Sequence, residues 1–489
     1  MKKNFLAMTA LAAMLFAGCT SSDDLTTRET ITKANEAATP INFGTYMGKT
    51  STRATVGKQG DMTTTTLRDT KNNGGGFGVF AYYTKNTAYT YNQTSFGPNF
   101  MYNQGVFYNS TKWEYTPVKY WPNGLNDQDG GKGGDDETLT PGGKVSFFAY
   151  APYIDTPTGD QSSNDGIIGM SANTFLGNPT ITYKMPSTSM VDILWGTADT
   201  SGKDLAGNDQ SGTTLSDQTA TNGAATPVHY MVNADLTKQQ IDGAVKFKFL
   251  HALAKFGGSA NDGVAGGLQI MLDINALSGG TAEDNNTKVT VKSITIDTDL
   301  NGDGDFDDTD EKISKVGTLD LATGLWSISD ATGDKSEINQ TINRVGTAPA
   351  SQLNPQIAEP ETWNSTWASN TLEGVKIAPK NVYATGQENS PLLFFPGQTP
   401  KVRVKINYIV RTKDDNLAAG YSLVEQTVSK VVTFTEPVKM NKKYNLIIHL
   451  GLTSVKFEAT VADWSADTNS DGAVDTSDAR TVFLPLNVE

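Results

Sequence analysis

The feature that most constrains this chain is the recurrence of short apolar and aromatic segments between Gly- and Asn-rich turns. Segments such as KVSFFAYAPY, KVRVKINYIVR and KKYNLIIHLGL are rich in β-branched and aromatic residues, which are typical of strands. Helical periodicity is confined to KQQIDGAV and HALAKF, each shorter than an ordinary helix. The pattern therefore predicts an all-β protein built from β-sandwiches.

The length of the chain predicts the number of its domains, and its charge limits the classes of partner that it binds. A length of 489 residues exceeds what one hydrophobic core ordinarily serves, so two domains are expected. We place the boundary near residue 240, with one sandwich over 54–240 and another over 241–465. The net charge of −14 argues against binding to nucleic acid and against adsorption to anionic membranes.

The N-terminus has the pattern of a lipoprotein signal peptide over residues 1–18. Lys2 and Lys3 precede an apolar stretch that is too short to span a membrane and that ends at LFAGC. Cys19 is the only cysteine of the chain, and LFAGC resembles a lipobox. We expect an outer-membrane lipoprotein with diacylated Cys19, held to the membrane through its lipid alone. The alternative is an ordinary secretory signal with a chance cysteine.

The next segment, residues 19–53, combines a polar tether with one strand. Asp23 and Asp24 follow the predicted lipidation site and resemble the surface-export signal of Bacteroidota lipoproteins. PINFGTYM then alternates apolar and polar residues, so Ile41 and Phe43 share one face of a predicted strand. The loop that follows contains the sequence STRAT.

Several motifs of the globular region occur together in a fixed order, namely YWPNG…KVSFFAYAPY, DILWGTAD, VKFKFLHALAKF, VKSITI, GTLDLATGLWSI and VADW. In this order and spacing the sequence resembles the fimbrillin-like (Mfa-like) lipoproteins of type V pili over nearly its whole length. The resemblance implies two tandem transthyretin-like β-sandwich domains.

The resemblance also implies an assembly mechanism with other pilus subunits as partners. An Arg-specific protease removes the first strand, and a strand from another subunit fills the groove. In this sequence the matching cleavage site lies between Arg53 and Ala54. The alternative is that Arg53 is one exposed arginine among many.

The C-terminal segment 466–489 contains the predicted donor strand, TVFLPLNVE. Its apolar residues at period two are Val482, Leu484, Leu486 and Val488. Pro485 lies on the other face, which a strand in a groove tolerates at one position. The alternative is that this segment is simply the last strand of the second domain.

Two acidic loops follow the spacing of calcium-binding loops. In the first loop two registers fit, and Phe306 at position 8 favours the one that starts at Asp299. The predicted ligands are Asp299, Asn301, Asp303, Asp305, Asp307 and Asp310 in the first loop, and Asp467, Asn469, Asp471, Ala473, Asp475 and Asp478 in the second. Oxygen atoms of these types are the ligands that calcium prefers. The alternative is a pair of solvated acidic turns.

No catalytic motif of a hydrolase, metalloprotease or nucleotide-binding enzyme stands in a suitable context. His251 is expected to be a packed core residue, and Trp121, Trp195 and Trp464 are expected to lie in the sandwich cores. We therefore predict a structural or adhesive pilus subunit at the cell surface rather than an enzyme. The alternatives are a pilus tip or anchor subunit, or a monomeric surface lipoprotein that binds an unknown glycan or host ligand.

Overall fold

Strands dominate the computed structural model of this protein, with about 50% of the residues in strands and 5% in helices. These proportions confirm the predicted all-β class. The structure describes residues 40–46, 62–85, 87–90, 93–122, 143–157, 166–185, 192–198, 232–236, 244–256, 268–272, 287–308, 310–343, 375–377, 392–450, 455–463, 482–484 and 486–488. The described residues from Pro40 onward form one compact unit.

The strands of the first half are β1 (Asn42–Tyr46), β2 (Phe77–Lys85), β3 (Met101–Tyr108), β4 (Trp113–Glu114), β5 (Lys144–Ala151), β6 (Ile167–Met170), β7 (Thr180–Lys184), β8 (Leu194–Ala198), β9 (Asn233–Leu236) and β10 (Ala244–His251). The later strands are β11 (Ala254–Phe256), β12 (Leu268–Leu272), β13 (Thr287–Asp297), β14 (Ile313–Ser314), β15 (Val316–Asp320), β16 (Trp326–Ile328), β17 (Lys335–Ser336), β18 (Asn339–Asn343), β19 (Val375–Ile377), β20 (Leu392–Phe394), β21 (Lys401–Lys413), β22 (Tyr421–Phe434), β23 (Lys442–Leu450), β24 (Val455–Asp463), β25 (Val482–Leu484) and β26 (Leu486–Val488). The helical elements are α1 (Thr64–Leu67) and two 3₁₀ turns at Lys71–Asn73 and Thr332–Asp334.

An eight-stranded sheet carries the N-terminal half, in the order β1-β10-β8-β5-β2-β3-β4 with β9 paired to β5. Alternate residues of its strands point to opposite faces and enter two separate cores. Core A contains Ile41, Phe43, Met62, Leu67, Phe77, Val79, Ala81, Met101, Val106, Trp113, Trp121, Val145, Phe147, Ala149, Ala151, Leu194, Val245, Phe247 and Phe249. Since both faces are covered, GVFAYY and VSFFAYA are continuous apolar runs rather than alternating ones.

Core B joins the two halves of the chain. It contains Phe80, Tyr82, Tyr89, Phe148, Tyr150, Ile154, Ile167, Ile181, Tyr183, Met185, Ile193, Trp195, Val232, Ala252, Leu253, Leu319, Leu321, Ala322, Leu393, Phe395 and Met440. A four-stranded sheet ordered β16-β15-β7-β6 supplies part of this core and takes strands from both sides of residue 240. The predicted burial of Trp121 and Trp195 is confirmed, whereas Trp464 lies outside the described residues.

Sheet membership groups β10 with the strands of the N-terminal half. Strand β10, which the prediction assigns to the second domain, pairs with β1 and β8 in the first sheet. The physical reason is that Val245, Phe247 and Phe249 alternate into core A. The boundary near residue 240 and the division into two tandem domains stay predictions.

Two further sheets carry the C-terminal half. A seven-stranded sheet has the order β19-β12-β23-β11-β20, with β24 paired to β23 and β25 paired to β24. A five-stranded sheet has the order β18-β13-β21-β22-β26, and β14 and β17 form a separate pair. The last two strands of the chain thus lie in different sheets.

Candidate functional site

Strand β1 lies at the edge of the first sheet and is held on both sides. It pairs in parallel with β10, from Asn42 opposite Ala244 to Tyr46 opposite Lys248. On its other side the Ile41 N–H donates to the Lys119 carbonyl over 2.9 Å. The Tyr115 hydroxyl donates to the Ile41 carbonyl over 2.8 Å.

The apolar face of β1 completes core A. Ile41 is fully buried and Phe43 is 5% exposed, as the alternation of the sequence predicts. The Phe43 ring stacks on Phe247 at a centroid distance of 6.0 Å and meets Phe77 edge-on at 6.2 Å. Because burial of a large apolar side chain is worth about 1.5–3 kcal/mol, loss of β1 would uncover a substantial apolar surface of core A.

Met62, the first described residue after β1, is held at a buried anchor. The Met62 N–H donates to Asp192 Oδ2 over 2.9 Å, and His251 Nδ1 lies 2.6 Å from the same oxygen. His251 is 4% exposed and Met62 2% exposed, so the histidine is a packed residue as predicted. Arg53 and Ala54, together with Cys19, lie outside the described residues.

The acidic loop after β13 is organised by Asp299 at its start. Asp299 Oδ1 accepts from the Gly302 N–H over 2.7 Å, and Oδ2 accepts from the Gly304 N–H over 3.1 Å. The two glycines have φ of 84° and 94°, a left-handed conformation that favours glycine. The two glycines therefore form a sharp turn around the Asp299 carboxylate.

Asp299 also belongs to a buried network with Asp297 and Arg403, which the sequence pattern does not predict. Arg403 donates to both carboxylate oxygens of Asp297 over 2.9 Å, and to Asp299 Oδ2 over 2.6 Å. Both aspartates are 3% exposed. The arrangement follows from the pairing of Asp297 with Arg403 between β13 and β21. Asp299 is therefore engaged by a guanidinium group and by backbone N–H groups.

Three acidic side chains of this loop come together as a cluster. The carboxylate oxygens of Asp305, Asp307 and Glu311 all lie within 4.8 Å of one another. Glu311 is fully buried, and it accepts from the Leu300 N–H over 3.0 Å and from the Asp308 N–H over 3.4 Å. Hydrogen bonding with Asp307, reinforced by nearby negative charge, raises the pKa of Asp305.

The cluster contains only part of the predicted ligand set. Asn301 donates to Asp303 over 2.9 Å and to Asp308 over 3.2 Å, and Asp310 is exposed. Glu311, one position beyond the consensus, was not among the predicted ligands, although its acidic side chain directly follows the loop. The three clustered carboxylates are close enough to share a calcium ion, whose oxygen ligands lie at about 2.3–2.6 Å. The second loop, 467–478, lies outside the described residues.

The C-terminal strands pair with this chain's own sheets. Val482 lies opposite Val461 and Leu484 opposite Ala459. After Pro485, Leu486 lies opposite Phe434 and Val488 opposite Val432. Each strand contributes three residues to its pair, and Val488 is 39% exposed.

The comparisons with known proteins agree with this architecture. No protein-family model matches the sequence. The chain is 24% identical over 474 residues to the fimbrium subunit Fim1C of Phocaeicola vulgatus, covering 95% of this chain and 97% of that protein. The chain is a homologue of a Bacteroidales fimbrium subunit. The matched protein is structural rather than an enzyme, in agreement with the prediction of a non-enzymatic chain.

The fold of this fimbrium subunit homologue has a counterpart of known structure. A fimbrial protein from Bacteroides vulgatus, solved by crystallography, aligns with a TM-score of 0.51 and 20% identity over 87% of this chain and 99% of that one. This likeness supports the β-sandwich architecture. Within the described part of the chain, no helix has the length and apolar character needed to cross a bilayer.

Proposed function

We propose that this chain is a pilus subunit that is exported as a surface lipoprotein, cleaved after Arg53 and polymerised by strand exchange. The observation that carries the proposal is the edge strand β1, because its Phe43 and the immediately preceding Ile41 are buried in core A. A strand that supplies core residues and leaves by cleavage uncovers both apolar pockets and backbone hydrogen-bonding groups. Similarity to a fimbrium subunit over nearly the whole chain supports the same role at the cell surface.

The position of Arg53 suits this role. β1 ends at Tyr46, and the body resumes at Met62, whose N–H is fixed by buried Asp192. A cut between these two points separates β1 covalently from the body, and it leaves the anchor at Met62 intact. After such a cut the strand is held without a covalent link, through its five-residue pair with β10, the hydrogen bonds of Ile41 to Lys119 and Tyr115, and its core contacts.

The C-terminal tail is the proposed donor. Its apolar residues recur at period two, as do Ile41 and Phe43 on β1, so one face of the tail matches the pockets that β1 vacates. Before exchange, the tail must leave its own sheets. Its two pairs of three residues each are short, which keeps the energy needed for release small.

We also propose that the acidic loops bind calcium. In the first loop, Asp305, Asp307 and Glu311 are the fitting ligands, because their carboxylates converge. Asp299 would instead hold the turn through Gly302, Gly304 and Arg403. The second loop lies between β24 and β25 in sequence, so a cation bound there would stiffen the joint between body and tail and reduce the entropy lost on insertion.

Deletion of residues 480–489 tests the donor role. We expect the shortened chain to remain a folded monomer and to form no polymer when it is processed, as measured by light scattering and electron microscopy. Continued filament formation by the shortened chain would contradict strand donation by this segment.

Substitution of the processing site tests the cleavage. The variant Arg53→Ala should retain β1 and stay monomeric under an Arg-specific protease. The matched control is Arg28→Ala, since a cut at Arg28 lies ahead of β1 and does not separate it from the body. Equal polymerisation of both variants would rule out Arg53 as the site.

Calorimetry tests the calcium proposal. Calcium added to the folded chain should give a saturable heat, with a dissociation constant on the order of 0.1–1 mM as in extracellular modules. Glu311→Gln should weaken the contribution of the first loop, and Asp467→Ala combined with Asp471→Ala that of the second. Absence of any calcium heat in the folded chain would refute both sites.

A further inference from the structure

A cavity of about 570 Å³ opens beside the start of β1. Its volume falls within the range of about 300–1,000 Å³ that is common for small-molecule sites. The rim is exposed and polar, the walls are half-buried and aromatic, and the floor is buried.

Strand β3 and the residues beyond it form the aromatic part of the cavity. Phe107 and Tyr108 are half-buried wall residues, and Trp113 and Tyr153 are buried at the floor. The Tyr108 ring lies 5.3 Å from Trp113, and the Phe107 ring meets Tyr153 edge-on at 5.2 Å. These contacts fix the rings in place before any ligand arrives.

Gly105 keeps the floor open to these rings. A Cβ atom at this position would lie 2.8 Å from Tyr153 and 2.9 Å from Phe107. Both distances are below normal van der Waals contact, so any other residue would push the rings apart. The shape of the cavity therefore depends on a glycine at this position.

Two lysines at the cavity are each paired with a carboxylate. Lys112 pairs with Glu114 over 3.1 Å, and Lys71 pairs with Asp155 over 3.1 Å. The Tyr153 hydroxyl also donates to Asp155 over 2.9 Å. Lys71 and Lys112 are thus each matched by a carboxylate, and the Arg68 guanidinium lies over the ring of Tyr108, 4.9 Å from its centroid.

We propose that this cavity is a binding site for a neutral saccharide. A sugar ring presents an apolar C–H face and a rim of hydroxyl groups that both donate and accept. The rings of Phe107 and Tyr108 provide an aromatic surface for the apolar C–H face of the sugar. Glu114 accepts hydrogen bonds from the sugar hydroxyl groups, and Lys112 donates hydrogen bonds to them. The Glu114 and Lys112 side chains are 49% and 71% accessible, so both contact a ligand without a conformational change.

The site includes the edge of β1. Ile41 and Asn42 line the cavity, and the hydrogen bond from the Tyr115 hydroxyl to the Ile41 carbonyl fixes that edge to the opposite wall. The cavity is therefore complete while β1 is in place. Binding is measured on the unprocessed chain, in which β1 is in place, so this inference can fail or succeed independently of the proposed pilus assembly.

Saturation-transfer NMR and calorimetry on the unprocessed full-length chain test the site, with maltotriose, triacetylchitotriose and the charged 3′-sialyllactose as probes. We expect saturable binding of at least one neutral trisaccharide in preference to 3′-sialyllactose. Tyr108→Ala and Glu114→Gln should each weaken that binding at least tenfold. The control Tyr102→Ala changes an exposed tyrosine of the same strand that does not line the cavity and should leave binding unchanged.

Three results would overturn the assignment. The first is the absence of saturable binding by both neutral trisaccharides. The second is binding that Tyr108→Ala and Tyr102→Ala affect equally, since the sugar would then lie elsewhere. The third is competition by a peptide of residues 480–489, which would assign the cavity to a polypeptide.

Discussion

Truncation of Phe43 is the substitution that most directly measures how strongly β1 is bound to the rest of the protein. The ring is 5% exposed and lies with its centroid 5.2–6.2 Å from the rings of Tyr115, Phe147, Phe247 and Phe77. Substitutions of buried phenylalanine by alanine cost about 3–5 kcal/mol. At about 1.4 kcal/mol per factor of ten, this is roughly a 140- to 3,700-fold weaker association of β1 with the sheet.

The assay separates cleavage from release. The purified chain is cut with an Arg-specific protease, and the N-terminal fragment that carries β1 is followed by size-exclusion chromatography and mass spectrometry. We expect the fragment to remain bound to the parent body and to dissociate from Phe43→Ala. Asn42→Ala, an exposed position on the same strand, is the matched control and should retain its fragment.

Equal retention of the fragment by Phe43→Ala and Asn42→Ala would refute the reasoning. In that case, the hold on β1 would not depend on the aromatic packing in core A. Immediate release from the parent protein would equally contradict a strand that is bound through its buried side chains.

Three further predictions concern the C-terminal half. Arg403→Met should lower the free energy of unfolding by about 3–5 kcal/mol in urea denaturation, because it leaves Asp297 and Asp299 buried without their cation; an unchanged midpoint would contradict this. Burial lowers the pKa of Lys315 to about 8, so the unfolded chain binds a proton that the folded chain has lost between pH 8 and about 10.4, and stability should rise with pH there. Lys315→Met should abolish this rise in thermal melts, whereas the control Lys335→Met, which is 30% exposed, should preserve it. Glu311→Gln should reduce the thermal stabilisation produced by millimolar calcium, and equal calcium-induced shifts in the variant and the parent would exclude Glu311 as a ligand.

The local sequence pattern predicts where strands form, but it does not predict which strands pair with each other. Alternation identified β1 and its two buried residues, and aromatic content identified the cores. The four-stranded sheet could not be foreseen, because β7 pairs with β15, from Thr180 opposite Asp320 to Lys184 opposite Val316, over a long separation in sequence. Register across such separations is set by tertiary packing rather than by local propensity.

The same limit applies to the acidic loop. Consensus spacing located the loop and its glycine turn, since both are local features. The engagement of Asp299 by Arg403 depends on the pairing of β13 with β21, which no spacing rule contains. Glu311 was missed because it lies one residue past the consensus, although its full burial brings it to the centre of the carboxylate cluster.

Determination of the N-terminal residue of the polymerised protein tests the central claim most directly. Filaments purified from the cell surface are dissociated, and the subunit terminus is read by chemical sequencing and mass spectrometry. The account predicts a start at Ala54, with β1 absent from the polymer. An acylated Cys19, or any start ahead of β1 in the assembled subunit, would contradict strand exchange and favour an anchor subunit.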